Sequence, residues 1–234
     1  MKFIQSLLLY CSLAALMGSC AYPYQVYFTE SDSVINDPLE GYIFENDTFL
    51  IYYDFWAPGG EMLFTVNNKT SQPLFLDMSK SQLVVNGKGY KYYDEDYLPE
   101  VAPILGTPDA PLEMQAVISI PPYQGRQIET FAVNYNWNSL RLKDRATYKP
   151  SNSPLHFRNE LVYATNEYFD QAQSLKNKFW IKKVIKFRNR DFKRISKVDK
   201  QKESKFYVYN TAKEEETDVW VNLLGGLIDI LFLF

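Results

Sequence analysis

The chain has 234 residues, 46% of them hydrophobic, and its 25 Lys and Arg against 28 Asp and Glu leave a formal net charge of −3. A single histidine, His156, confines any histidine-based catalysis to one side chain. With 18 Tyr and 16 Phe against only 10 Gly, the composition favours strands.

Lys2 is followed by an apolar run from Phe3 to Met17, too short for a bilayer span of roughly twenty residues, so residues 1–19 are expected to be a secretion signal. The segment Leu16-Met-Gly-Ser-Cys20 that closes it resembles a bacterial lipoprotein box, with Met17 where the box usually carries Leu. That resemblance implies acylation of the Cys20 thiol, which becomes the first residue of the mature chain and its membrane anchor. The only other cysteine, Cys11, lies in the discarded stretch. One leftover thiol is odd for a secreted disulfide protein and natural for a lipoprotein.

Residues 20–38 are expected to form a tether from the anchor to the domain, with one strand-like stretch at 25–28. Strand signals then become dense. The runs 42–45 and 49–56 are followed by Pro58-Gly-Gly60, and 61–67 returns the chain as the second arm of a hairpin. Asn68 to Pro73 is a turn, 74–77 a short strand, and 82–86 and 88–93 flank Asn86-Gly87, the strongest short hairpin signal. Asp94 to about Pro111 reads as a loop, and strands resume at 114–120 and 127–133. This spacing of short strands describes a β-sandwich, with its domain placed at 39–175. A further strand is expected at 155–163, and helix-compatible sequence at 166–178, where Phe169, Ala172 and Leu175 recur at spacings of three. Residues 176–210 form a basic strand and loop segment whose runs 179–187 and 205–209 add to a sheet. Residues 211–234 begin with Glu214-Glu-Glu216 and end in the apolar stretch Val219–Phe234, the pattern of an amphipathic carboxyl-terminal helix.

Several phrases, Ile51-Tyr-Tyr-Asp-Phe-Trp56, Gly59-Gly-Glu-Met-Leu-Phe64, Asn67-Asn-Lys-Thr70 and Leu76 to Gly87 among them, resemble a group of lipoproteins from Bacteroidetes-type bacteria with an immunoglobulin-like domain. The resemblance implies an immunoglobulin-like fold and a location in the cell envelope, at the outer membrane. It brings no active-site residues with it. Surface-displayed lipoproteins of such bacteria often carry acids directly after the cysteine. Here none occurs before Glu30, which points to the periplasmic face.

No catalytic constellation accompanies these signals. His156 sits between Leu155 and Phe157 and reads as a strand or surface histidine, and no G-x-S-x-G elbow or phosphate-binding glycine loop is present. One His and one lipidated Cys cannot build a zinc site of three or four ligands, so neither metal nor cofactor is expected. Asp94-Glu-Asp96 beside Tyr92-Tyr93 admits a sugar site or a calcium loop, but it lacks calcium-loop spacing and reads foremost as a solvated loop.

Charge distribution stands out more. Between Lys176 and Lys205 lie thirteen Lys or Arg and three Asp or Glu, while the rest of the mature chain is net acidic. Such a block attracts an anionic surface, through Lys182, Lys183, Lys186, Arg188, Arg190, Lys193 and Arg194, or is a solvated segment that offsets the acidic body. The apolar carboxyl-terminal stretch has three outlets: its own domain, a membrane surface, or a partner's groove. The expectation is a non-enzymatic envelope protein that binds or scaffolds, its partner an envelope protein or an anionic lipid and not a nucleic acid. A carbohydrate-binding or carbohydrate-active lipoprotein is the alternative.

Overall fold

The structure, a computed structural model, describes residues 24–37, 41–94, 115–130, 132–133, 145–199 and 202–209. Residues 1–19 expected as a secretion signal, Cys20, the residues 211–234 expected as a helix, and Glu95 and Asp96 lie outside them. The described chain is mainly β: two antiparallel sheets and one helix.

The smaller sheet is ordered β2 (Ile35–Asp37), β3 (Gly41–Glu45), β4 (Phe49–Asp54), β5 (Leu63–Asn68) and, last, β9 (Gly125–Ile128). Its central strands alternate strictly, so Phe49, Ile51 and Tyr53 of β4 and Phe64 and Val66 of β5 all point inward. The expected hairpin between these two runs forms, with Gly59 and Gly60 both at positive φ in the connection.

The larger sheet runs β13 (Lys205–Tyr209), β1 (Tyr24–Ser31), β12 (Gln173–Phe187), β11 (His156–Ala164), β6 (Leu74–Val85) and β7 (Lys88–Lys91). Two short strands complete it: β10 (Arg145–Thr147) beside β12, and β8 (Val117–Ile120) beside β6. The Asn86-Gly87 hairpin is as expected, with φ of +48° and +86° at the two turn residues. The stretches 74–77 and 82–86 are one strand rather than two. Ser81 bridges the irregularity between them, donating to the Asp77 carbonyl at 2.6 Å and accepting from Val162 N at 2.9 Å.

Two sequence expectations are corrected here. Residues 20–38 are not a free tether, because Tyr24–Ser31 is an interior strand paired with β12 on one side and β13 on the other. The helix-compatible stretch 166–178 is a turn followed by strand. The Asn166 carboxamide accepts from Tyr168 N and Asp170 N, which competes with helical hydrogen bonding, and Gln173 onward is captured by the β11 ladder. The runs 179–187 and 205–209 of the basic segment do add to the main sheet, as parts of β12 and β13, and between them the segment forms the helix α1 (Asn189–Val198), which the reading as strand and loop did not include.

The inner faces of the two sheets share one core dominated by aromatic rings. Across the interface, Tyr53 meets Phe179 with centroids 5.1 Å apart, Phe49 meets Tyr163 at 4.8 Å, and Phe55 meets Phe157 at 5.2 Å, all edge to face. A polar knot sits inside this layer. The Tyr53 hydroxyl accepts from Asn177 Nδ2 at 2.7 Å and Asn159 Nδ2 at 3.2 Å, and Asn159 Oδ1 accepts from the Tyr92 hydroxyl at 2.8 Å. All four side chains are buried. Burial keeps the Tyr53 phenol protonated well above its ordinary range, so it remains a neutral member of the knot.

Replacing Tyr53 by Phe strips two buried carboxamides of their acceptor. Each such orphan costs about 1–3 kcal/mol, so Tyr53→Phe is expected to lower stability by at least about 2 kcal/mol in urea unfolding. A loss under about 0.5 kcal/mol would show that the knot contributes nothing.

Candidate anionic-surface site

The seven cations singled out by sequence divide into two sets. Lys182 and Lys183 belong to β12: Lys183 lies opposite Phe28 of β1, and Lys182 is the residue passed over at the register shift between Phe28 and Thr29. Lys182 is exposed and pairs with Glu30 at 2.5 Å. Lys183 is half-buried, its ammonium 4.9 Å from the centre of the Phe28 ring, and Lys205 approaches the same ring at 5.3 Å. Desolvation, helped by the neighbouring charges of Arg145 and Lys205, holds the Lys183 ammonium below the usual lysine range. Lys205 is itself buried and tied to Asp199 at 2.7 Å. These β12 cations are therefore occupied with the sheet. Lys186, further along the strand, is half-buried, and Arg188 is exposed just ahead of the helix.

Arg190, Lys193 and Arg194 are on α1, joined there by Lys197. The four follow i, i+3, i+4, i+7 spacing, which puts them on one face, and all four are exposed. The segment is helical because nothing in it competes: Asp191 sits in the first turn, Lys197 in the last, both favourable to the helix dipole, and Asp199 N closes the end on the Ile195 carbonyl.

The opposite face is held by one residue. Phe192 is the helix's buried side chain, and its ring lies flat on Tyr24 with centroids 3.8 Å apart and planes within 2°. Trp56 stacks at 5.9 Å and Tyr207 leans in at 4.9 Å. The seat is thus assembled from β1, the loop after β4, and β13. It orients the helix so that its cations face solvent.

Sequence reasoning missed Lys197. Its signal was the spacing of seven from Arg190, hidden because the segment was read as strand and loop. The sugar reading at Tyr92 to Asp96 loses its aromatic platform: Tyr92 is buried in the polar knot and Tyr93 packs against the core. Asp94 lies 3.6 Å from Lys91. His156 opens β11 at the surface with Nε2 2.6 Å from the Pro150 carbonyl, and since a carbonyl only accepts, Nε2 carries the proton. Among the described residues no cluster of His, Cys, Asp and Glu is placed to hold a metal ion. No described helix is long and apolar enough to cross a membrane. Comparison with protein-family models, curated proteins and solved structures finds no match for this chain.

Removing the Phe192 ring should release α1 while sparing the sheets. Phe192→Ala is expected to cost about 3 kcal/mol, the lower end of buried Phe truncations, and to raise hydrogen exchange at 189–198 while amides of β11 and β12 stay protected. Unchanged exchange in the helix would show that the ring stack is not its seat.

Proposed function

We propose that this protein is a non-enzymatic binding module of a bacterial envelope, lipid-anchored at Cys20, that lays the cationic face of α1 on anionic lipid headgroups. The stack of Phe192 on Tyr24 carries this reading. Tyr24 is four residues beyond Cys20, a stretch of chain that reaches at most about 14 Å. A helix seated on Tyr24 is therefore held close to whatever surface Cys20 is fixed in. Arg190, Lys193, Arg194 and Lys197, turned away from the protein, are the side chains it offers to that surface.

An acyl anchor and a basic patch work together because each alone binds reversibly, and each Lys or Arg near an anionic leaflet adds about 1 kcal/mol. Two antiparallel sheets that share one core, with the chain crossing between them after β1, β5 and β8, support the finer reading of the domain as an immunoglobulin-like sandwich. The lack of acids between Cys20 and Glu30 supports the periplasmic face of the outer membrane as the site of attachment.

Binding of the Cys20→Ser protein to phosphatidylglycerol vesicles tests the helix apart from the anchor. Replacing Lys193 and Arg194 together by Gln should weaken it by about 2 kcal/mol, roughly 30-fold, and salt should weaken the parent protein steeply. Binding indifferent to both would remove α1 from the contact and point to the apolar stretch Val219–Phe234. The anchor is checked independently by mass spectrometry of protein extracted from envelopes. The expected mature chain begins at an acylated Cys20, and an unacylated Cys20 would rule the anchor out.

A further inference from the structure

A second constellation lies on the outer face of the larger sheet and does not depend on the membrane reading. Residues 157, 159, 161 and 163 of β11 point into the protein, so His156, Arg158 and Glu160 point out. Their partners directly across on β12 are Trp180, Lys178 and Lys176. The Glu160–Lys176 row is self-compensating: Glu160 Oε1 lies 3.5 Å from Lys176 Nζ and accepts from Arg158 Nε at 2.6 Å. The next row sets Arg158 against Lys178, like charges directly opposed, an arrangement that disfavours the sheet unless an anion joins it. Lys178 Nζ has no partner among the described residues, and Arg158 spends only Nε on Glu160, leaving four further donors.

These side chains line a cleft of about 330 Å³. Trp180, 8% exposed, forms part of the wall. The Pro150 turn, held by His156, closes one side, and Val84 adds an apolar edge. Among the described residues that line it, Asp32 is the one carboxylate.

We propose that this cleft binds a hydroxylated ring bearing a single carboxylate, of the size and chemistry of a uronic acid. Two cationic donors, Arg158 and Lys178, call for acceptor oxygens. Two positive side chains against Asp32 leave the lining at one positive charge, which matches a monoanion better than a phosphate dianion. Asp32 can accept only from a donor, which a sugar hydroxyl supplies and a bare inorganic anion does not. The cleft lies at the small end of the range for ligand pockets, room for one ring rather than a chain of them. The opposed Arg158 and Lys178 are the feature such a ligand would satisfy, its carboxylate set between the two cations.

The test uses the full chain in detergent micelles with its four tryptophans replaced by 5-fluorotryptophan. The Trp180 fluorine resonance is assigned by its disappearance in Trp180→Phe. Glucuronate is expected to move that resonance saturably, and glucose at the same concentration to leave it in place. Lys178→Gln, a change at an exposed side chain, should weaken glucuronate binding at least fivefold. Arg190→Gln on the helix should leave binding unaltered, which separates this cleft from the vesicle contact. Any of three results would overturn the proposal: no response to glucuronate, an equal response to glucose, or full binding in Lys178→Gln. Inorganic phosphate that competes on equal terms with glucuronate would reduce the cleft to a plain anion site and overturn the sugar assignment.

Discussion

Fifteen consecutive residues of extended chain, Gln173–Phe187, are paired to β11 over 173–180, to β1 over 179–187 and to β10 over 183–185, so that the middle and second half are held on both edges. A strand paired on both edges has no freedom to turn over, so its alternation is imposed on everything around it. Asn177, Phe179 and Ile181 go into the core, where Phe179 touches Tyr42, Tyr53, Phe55 and Phe157. Lys176, Lys178 and Trp180 go to the outer face. The same strand thus closes the aromatic core and lays out the charged face above it. A one-residue slip would exchange the two, burying ammonium groups and exposing rings. The Tyr53 knot opposes such a slip, because only this register presents Asn159 and Asn177 side by side to one hydroxyl.

Aromatic abundance has a structural use here. A core between two sheets is about 10 Å thick, and rings reaching in from both faces can fill it by meeting edge to face. The cost is that Tyr brings its hydroxyl along. Buried Tyr hydroxyls find side-chain partners: Tyr27 donates to Gln25 at 2.8 Å, Tyr92 to Asn159 at 2.8 Å and Tyr163 to Gln173 at 2.7 Å, Tyr42 accepts from Thr29 at 3.3 Å, and Tyr53 serves two carboxamides. Backbone must yield to the rings at one point. Gly60 has φ of +67°, and a Cβ there would meet Val133 Cγ2 at 2.6 Å and Phe206 Cγ at 2.8 Å, so the hairpin connection passes beneath β13 only as glycine.

The basic block owes its division of labour to the same frame. On β12, alternation and neighbours decide the fate of each lysine: Lys182 is neutralised by Glu30, and Lys183 lies over Phe28. Past Phe187 the chain leaves the sheet, turns into α1 and folds back onto Tyr24. Helical periodicity then gathers Arg190, Lys193, Arg194 and Lys197 into a stripe that strand periodicity would have scattered over two faces.

Period-two patterning and turn chemistry were enough to read β4, β5, β7 and the Asn86-Gly87 hairpin directly from the chain, because these elements are local and their signals lie within ten residues. The single histidine, the two cysteines and the cluster of cations were equally legible, being matters of count. What could not be read was anything that depends on a distant partner. Tyr24–Ser31 looks like tether until β12 and β13 flank it, and 166–178 looks helical until β11 captures its second half. Arg158 and Lys178, twenty residues apart, become a like-charged row only through the β11–β12 register. Phe192 is an unremarkable aromatic until Tyr24, Trp56 and Tyr207 converge on it. Local sequence determined which pieces of chain extend, turn and carry charge, since steric preference and side-chain chemistry act over a few residues. Tertiary structure alone decided which faces those pieces present, because a strand's or helix's orientation is chosen by the non-local surface it buries.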